Sequence, residues 1–332
     1  MPTPAAPSSS SSNDVVIGPD YAPASEMAET PAAPKGVLRE FVMESAQSAI
    51  YPGIRRLDND VTARRDAFGN RLAAEHHLQS EPAPYSRTVR VYIPQQYDPA
   101  TAAPFMVVQD GVFYAEALPR ALDALIAAGR LAPTIALLVD SGGGDAQGSQ
   151  RGLEYDAVSG RYSDFIETEV LPRAIRETGV ALTDDPDGRA TMGVSSGAAC
   201  AFTMAWFYPE RYRRVLSYSG TFVNQQSPPD PQTPRGAWEY HATLIPRTAR
   251  KPLRIWLEVG ENDLHTDDPE ETWHNWPLAN RRMAEALAAK GYDYRFTWSL
   301  GGRHADRRVL SHTLPGALAW LWQGYRPPPK RP

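Results

Sequence analysis

From residue 88 to residue 325, short apolar runs alternate with stretches whose apolar residues recur every three or four positions. TVRVYIP (88–94) sets Val, Val and Ile against polar neighbours, the period of a half-buried strand. PFMVVQD (104–110) and TIALLVD (134–140) are short and almost continuously apolar, as strands covered on both faces are. Residues 115–130 have helical spacing, and 162–178 predict a helix with Phe165, Ile166, Val170 and Ile175 on one side. RATMGV (189–194), RRVLSYS (213–219), LRIWLEV (253–259) and YRFTWSL (294–300) read as further strands. Helices are expected from Ala198 to Tyr208, over 278–290 with Gly291 closing the end, and over 314–325. This alternation predicts an α/β fold with a mostly parallel central sheet and helices on both faces. Right-handed crossovers then place the strand C-termini along one edge, where such sheets bind ligands.

Residues 1–34 break the pattern. They are rich in Pro, Ser and Ala, bury little apolar surface and predict a disordered arm. No later linker and no repeat follows, so 35–326 read as one domain and 327–332 as a short basic tail. A chain of 332 residues with 42% hydrophobic content suits one large α/β domain. The net charge of -5 provides no electrostatic footprint for nucleic acid or an anionic membrane. No apolar run approaches the roughly 20 residues that span a bilayer. Cys200 is the one cysteine, so no intrachain disulfide can form. The N-terminus has neither the basic region nor the apolar core of a signal peptide. As it stands the sequence reads as cytoplasmic, or as periplasmic or secreted if a signal has been removed.

One stretch carries chemistry. MGVSSGAACA (192–201) places Gly193-Val194-Ser195-Ser196-Gly197 between a strand and a helix. A G-x-S-x-G pattern in that context is a nucleophile elbow. The serine sits on a strained turn, and the glycines two before and two after it leave room for the backbone to close. Ser195 then stands at a helix N-terminus, where free N–H groups favour negative charge. The N–H of Ser196 can face a developing oxyanion. A glycine-rich turn packed under the sheet is the plain alternative, and the test is whether a base and an acid follow.

On such a fold the order is Ser, acid, His. GGRHADR (301–307) places His304 after a strand and before the last helix. GENDLH (260–265) places Asp263 after a strand; its short side chain holds an imidazole firmly, while Glu261, Asp267 and Asp268 are rivals for the acid. His76 and His77 suit a surface, His241 and His312 sit in apparent helices, and His265 and His274 flank the acid as pocket candidates. A second oxyanion donor is expected from QDGVFY (109–114), at Val112 with Gly111 as a close rival.

These segments resemble the Putative esterase family of α/β-hydrolases, which includes enterochelin, feruloyl and acetylxylan esterases, esterase D and the mycolyltransferases. The likeness is greatest to enterochelin esterase-like members. It is carried by FMVVQDG, RGLEYD, FIETEVLPRAI, MGVSSGAACAFTMAWFYPERYRRVLSYSGTF, LRIWLEVGENDL and LPGALAWLW, across most of 36–325. The resemblance implies an α/β-hydrolase fold, a Ser-Asp-His hydrolase without metal or organic cofactor, and Ser195, Asp263 and His304 as the triad. Two positions depart from the family pattern: Ala198 stands where Gly is frequent, and Arg303 separates the paired glycines from His304. Arg151 and Glu154 in RGLEYD match a family pattern and are expected to pair, bracing the loop after 134–140.

All eight tryptophans lie between Trp206 and Trp322. Trp273, His274 and Trp276 follow the acid turn, Trp238 follows a long loop, and Tyr114 ends the oxyanion segment; all five are expected around the substrate. Aromatic walls suit small aryl, sugar or siderophore-type esters, although the same rings could simply hold the loops down. Three functions fit the sequence: ester hydrolysis through an acyl-enzyme, acyl transfer by the same triad, or non-catalytic binding of a carbohydrate or siderophore on a hydrolase scaffold. SGGGDAQGSQRG (141–152) lacks the spacing of a nucleotide loop.

Overall fold

The structure, a computed structural model, describes residues 13–28, 34–57 and 79–327. Its strands are β1 (Asp14–Ile17), β2 (Val37–Glu44), β3 (Ile54–Arg56), β4 (Ser80–Pro82), β5 (Ser86–Ile93), β6 (Phe105–Gln109), β7 (Ile135–Val139), β8 (Arg189–Val194), β9 (Arg214–Tyr218), β10 (Arg254–Asn262) and β11 (Asp293–Arg303). The α-helices are α1 (Gly111–Tyr114), α2 (Ala117–Ala127), α3 (Gln150–Tyr155), α4 (Arg161–Phe165), α5 (Leu171–Thr178), α6 (Ser196–Phe207), α7 (Ile245–Arg247), α8 (Trp276–Ala289) and α9 (Arg307–Leu321).

Among the described residues nine strands form one sheet in the order β1-β11-β10-β9-β8-β6-β7-β5-β2, and β3 and β4 pair antiparallel in a separate two-stranded sheet. Every pairing from β1 through β7 in that order is parallel; β5 and β2 join antiparallel at one end. The continuous apolar runs occupy the middle because both their faces are covered. Val107 and Leu137 join a core with α3 to α6 and α8, whereas Met106, Val108 and Leu138 join one with α2 and α9. The family-like α/β-hydrolase architecture follows, and the C-termini of β6, β8, β9, β10 and β11 share one edge.

Two expectations need correction. Residues 13–28 are not a loose arm: β1 pairs with β11, the Tyr21 hydroxyl donates to Leu300 O at 2.7 Å, and Met27 is buried. Backbone pairing to an open strand edge needs little apolar composition, so composition alone missed it. The segment 162–178 is helical, but Ile166–Val170 widen into a π-turn between α4 and α5. That extra residue rotates the following turn, so Leu171 and Ala174 are buried and Ile175 is exposed.

Candidate active site

Ser195 joins β8 to α6 with φ 57° and ψ −129°, a conformation that costs a non-glycine residue about 1–3 kcal/mol. Four backbone bonds hold it: Ser195 N–H donates to Tyr218 O at 3.0 Å, and Ala198, Ala199 and Thr221 N–H donate to Ser195 O at 3.0, 3.2 and 3.1 Å. The turn closes so tightly that a Cβ on Gly193 would lie 2.2 Å from Gly197 O. The elbow composition therefore has a steric cause: no side chain fits at Gly193.

His304 follows β11, which runs through Arg303, so the intervening arginine completes the strand without displacing the imidazole. His304 Nε2 lies 3.0 Å from Ser195 Oγ, and Nδ1 lies 2.5 Å from Asp263 Oδ1. A carboxylate on Nδ1 selects the tautomer with hydrogen there and leaves Nε2 free to accept from the serine. Asp263 is 4% exposed and also accepts the Leu264 N–H at 2.6 Å. Its rivals are elsewhere: Glu261 accepts from Gly301 N–H, Asp268 sits on His265 Nδ1 at 2.9 Å, and Asp267 is exposed. The loop after His304 is pinned by Ala305 N–H donating to Ser219 Oγ at 3.1 Å.

A cavity of about 650 Å³ opens over Ser195 and His304. Trp276 lines it, with its ring edge-on to His304 at 6.2 Å and its Nε1 donating to Thr221 Oγ1 at 3.2 Å. His265 stacks on Trp276 at 5.6 Å, and Phe113, Leu264 and Gln225 complete much of the wall. Thr221 is a site residue that sequence reasoning missed: its Oγ1 lies 3.3 Å from Ser195 Oγ. The signal was its place just after the β9 strand end, within YSGTF.

The remaining expected residues divide. The N–H of Ser196 opens α6, where helical geometry supplies no intrahelical acceptor. Val112 lines the cavity, but its N–H donates to Asp140 Oδ1 at 2.7 Å, which corrects the expectation of a free donor there. Gly111 is pressed against β7, where a Cβ would meet Leu138 C at 2.4 Å. Tyr114 and Trp238 are buried away from the cavity, in opposite core layers, and Trp238 packs on His241. Trp273 packs half-buried against the core beneath Arg235, and His274 Nδ1 meets Thr272 O at 2.8 Å; neither lines the cavity.

Arg151 and Glu154 do not pair with each other. Arg151 forks onto Asp110, with Nε and Nη2 3.0 and 2.7 Å from its two oxygens. Glu154 takes Arg87, at 2.9 and 2.6 Å, and both side chains are sealed from water. Residues three apart on α3 thus reach different strand ends. Both still brace loops around the site, since Asp110 lies between β6 and α1 and Glu154 also accepts from Gly142 N–H at 3.3 Å.

Burial shapes the nearby titrations. The His241 imidazole is pushed down to about 3, by burial first and then by Arg282 and Arg235, and so stays neutral. Glu258, on β10 below the acid turn, is pushed up to about 8, chiefly by burial and then by the charges of Asp263 and Asp306. The folded carboxyl holds its proton while an unfolded one releases it near 4.5, so stability should fall as pH rises from about 4.5 to about 8. Glu258→Gln should remove that slope. Thermal unfolding at pH 5 and pH 8 checks this: the variant's Tm advantage should widen with pH, and parallel curves would contradict it.

Among the described residues no group of three or more His, Cys, Asp and Glu side chains is arranged to hold a metal ion, and no helix is long and apolar enough to cross a membrane.

The family model described as Putative esterase matches residues 80–321. An iron(III) enterobactin esterase from Dickeya dadantii (strain 3937) is 33% identical over 264 residues, covering 75% of this chain. The chain spans about half the length of that relative, 54%. The ferric enterobactin esterase of Salmonella typhimurium superposes with a TM-score of 0.56 at 20% identity, covering 90% of this chain and 60% of that one. A feruloyl esterase module from Clostridium thermocellum, solved with sinapinate, superposes at 0.55 and 14% identity, covering 97% and 100%. At these identities the superpositions speak to fold.

Proposed function

Because the chain belongs to the Putative esterase family, we propose that it is a serine carboxylic ester hydrolase acting through an acyl-enzyme. The observation that carries this reading is the unbroken hydrogen-bonded line from Ser195 Oγ through His304 to buried Asp263, at the floor of an open cavity. His304 Nε2 takes the hydroxyl proton as Ser195 Oγ attacks the ester carbonyl carbon. Asp263 holds the imidazole and favours its cation. The Ser196 N–H, at the positive end of α6, faces the oxygen that gains charge. Collapse breaks the ester C–O bond, and His304 returns its proton to the leaving alkoxide. Water, deprotonated by His304, then attacks the acyl carbon and releases Ser195.

Aryl, sugar or siderophore-type esters are the proposed substrates. The Trp276 and Phe113 rings offer flat apolar contact, and the similarity to an enterobactin esterase and a feruloyl esterase module favours the same class.

A fluorophosphonate probe with mapping of the labelled residue, beside p-nitrophenyl esters from acetate to octanoate, tests this. Label on Ser195 with turnover is expected. A folded protein giving neither would overturn the reading in favour of a binding function. A new ester formed when an acceptor alcohol is added would instead make the protein an acyltransferase.

A further inference from the structure

Asp156 is a buried carboxyl that the proposed chemistry does not use. It caps α3, is 3% exposed, and lies at the end of RGLEYD, the segment whose Arg151 forks onto Asp110. Its Oδ2 accepts from Gln225 Nε2 at 3.1 Å. The same amide nitrogen reaches Ser196 Oγ at 3.4 Å. Ser196 is the residue whose N–H opens α6 beside the nucleophile, and its side chain is 1% exposed. Gln225 forms part of the cavity wall. The neighbouring amide of Gln226 is tied to the same region, accepting from Val158 N–H at 3.2 Å and from the Thr233 hydroxyl at 3.2 Å.

We propose that Asp156 is a positioning residue for the oxyanion site: through Gln225 and the Ser196 hydroxyl, its carboxylate holds the first turn of α6 and the adjoining cavity wall in place. The proposal rests on the reading of Ser195 as nucleophile and Ser196 as oxyanion donor. Its physical basis is the cost of a buried carboxylate. An ion removed from water needs every donor it can reach, and here that donor is Gln225 Nε2 on Oδ2, while the buried Oδ1 has no hydrogen-bond partner. A carboxylate accepting hydrogen bonds orients them more strongly than a neutral acceptor does. Arg151 on α3, Asp145 on the preceding loop and Cys200 on α6 are the charged or titratable groups facing it. Burial pushes the carboxyl up to about 6, against the opposing pull of Arg151, Ser196 and Gln225, so it loses its charge in mildly acid solution. The hold on Gln225 and Ser196 should then weaken with falling pH, adding a second ionisation to that of the catalytic base.

The experiment compares the wild type with Asp156→Asn and Ser196→Ala, reading kcat and KM for p-nitrophenyl acetate from pH 5 to 9. Asp156→Asn should lower kcat about 10-fold or more, change KM less than about threefold, and reduce the acid limb to a single ionisation. Ser196→Ala removes the hydroxyl but keeps the backbone N–H and is nearly isosteric, so it serves even if Asp156→Asn folds poorly; a several-fold loss of kcat at unchanged KM is expected. If both variants stay within twofold of wild type with the same acid limb, the proposal fails. An inactive wild type that is not labelled at Ser195 would instead mean that the hydrolase reading itself has failed.

Discussion

Ser195→Ala should lower kcat by about 10⁵-fold while leaving the fold unchanged. Serine, base and acid act as a unit, so loss of the nucleophile removes nearly all the chemistry that the three provide. Alanine removes one oxygen from a residue whose backbone is held by bonds to Tyr218, Ala198, Ala199 and Thr221, none of which uses the hydroxyl. The lost side-chain contacts are those to His304 Nε2 and Thr221 Oγ1. Tm should therefore move by no more than about 2 °C, consistent with the loss of these two contacts of one partly exposed hydroxyl. Steady-state turnover of a p-nitrophenyl ester, thermal unfolding and fluorophosphonate labelling of the same preparation give the three readouts. Hydrolysis within tenfold of wild type from a protein that takes no label would remove Ser195 from the mechanism.

Arg87→Met should cost about 3–5 kcal/mol of stability, a fall in Tm on the order of 10 °C. The guanidinium and the Glu154 carboxylate are both sealed from solvent and joined by two bonds. Arg87 also packs over the rings of Phe165, at 4.5 Å, and Tyr85, at 4.9 Å. With methionine in its place, Glu154 would keep Gln150 Nε2 at 2.6 Å and Gly142 N–H at 3.3 Å but would face them as an uncompensated buried charge. Two further results separate this cause from simple loss of packing. Arg87→Met/Glu154→Gln should recover part of the loss. The single variant should also gain stability relative to wild type as pH falls, because an orphaned carboxyl is better buried protonated. A single variant as stable as wild type, or one whose deficit is constant with pH and unrelieved by Glu154→Gln, would show that the ion pair carries little of the fold.

Much of the site can be read along the chain because its signals are local. Gly193, Ser195 and Gly197 sit within five residues, and the clash of a Cβ at Gly193 with Gly197 O arises inside that one turn. His304 needed only its place after a strand and ahead of the last helix. The acid was narrower in space than in sequence. Four carboxylates crowd 261–268, and they separate only when the turn after β10 folds: Glu261 turns to Gly301, Asp268 to His265, Asp267 to solvent and Asp263 to the imidazole.

Partner choice was not legible. Arg151 and Glu154 share a helix, three residues apart, yet pair with Asp110, 41 positions away, and Arg87, 67 positions away. The aromatic residues split for a similar reason. Trp276 borders the cavity, while Trp238 and Tyr114 are taken into core layers by neighbours that no short window contains.

By itself, then, the sequence determined the strand and helix periods, the strained elbow at Ser195, the order along the chain of the serine, carboxylate and histidine that meet in the site, and the family. Each depends on sterics and burial patterns within a few residues. Only the tertiary structure decided the edge pairing of β1, the π-turn at Ile166–Val170, the commitment of Val112 N–H to Asp140, and which charged groups meet in the interior. These depend on distance across the sheet. A buried polar group must find whichever partner the packed core brings within about 3 Å, and positions along the chain do not encode that distance.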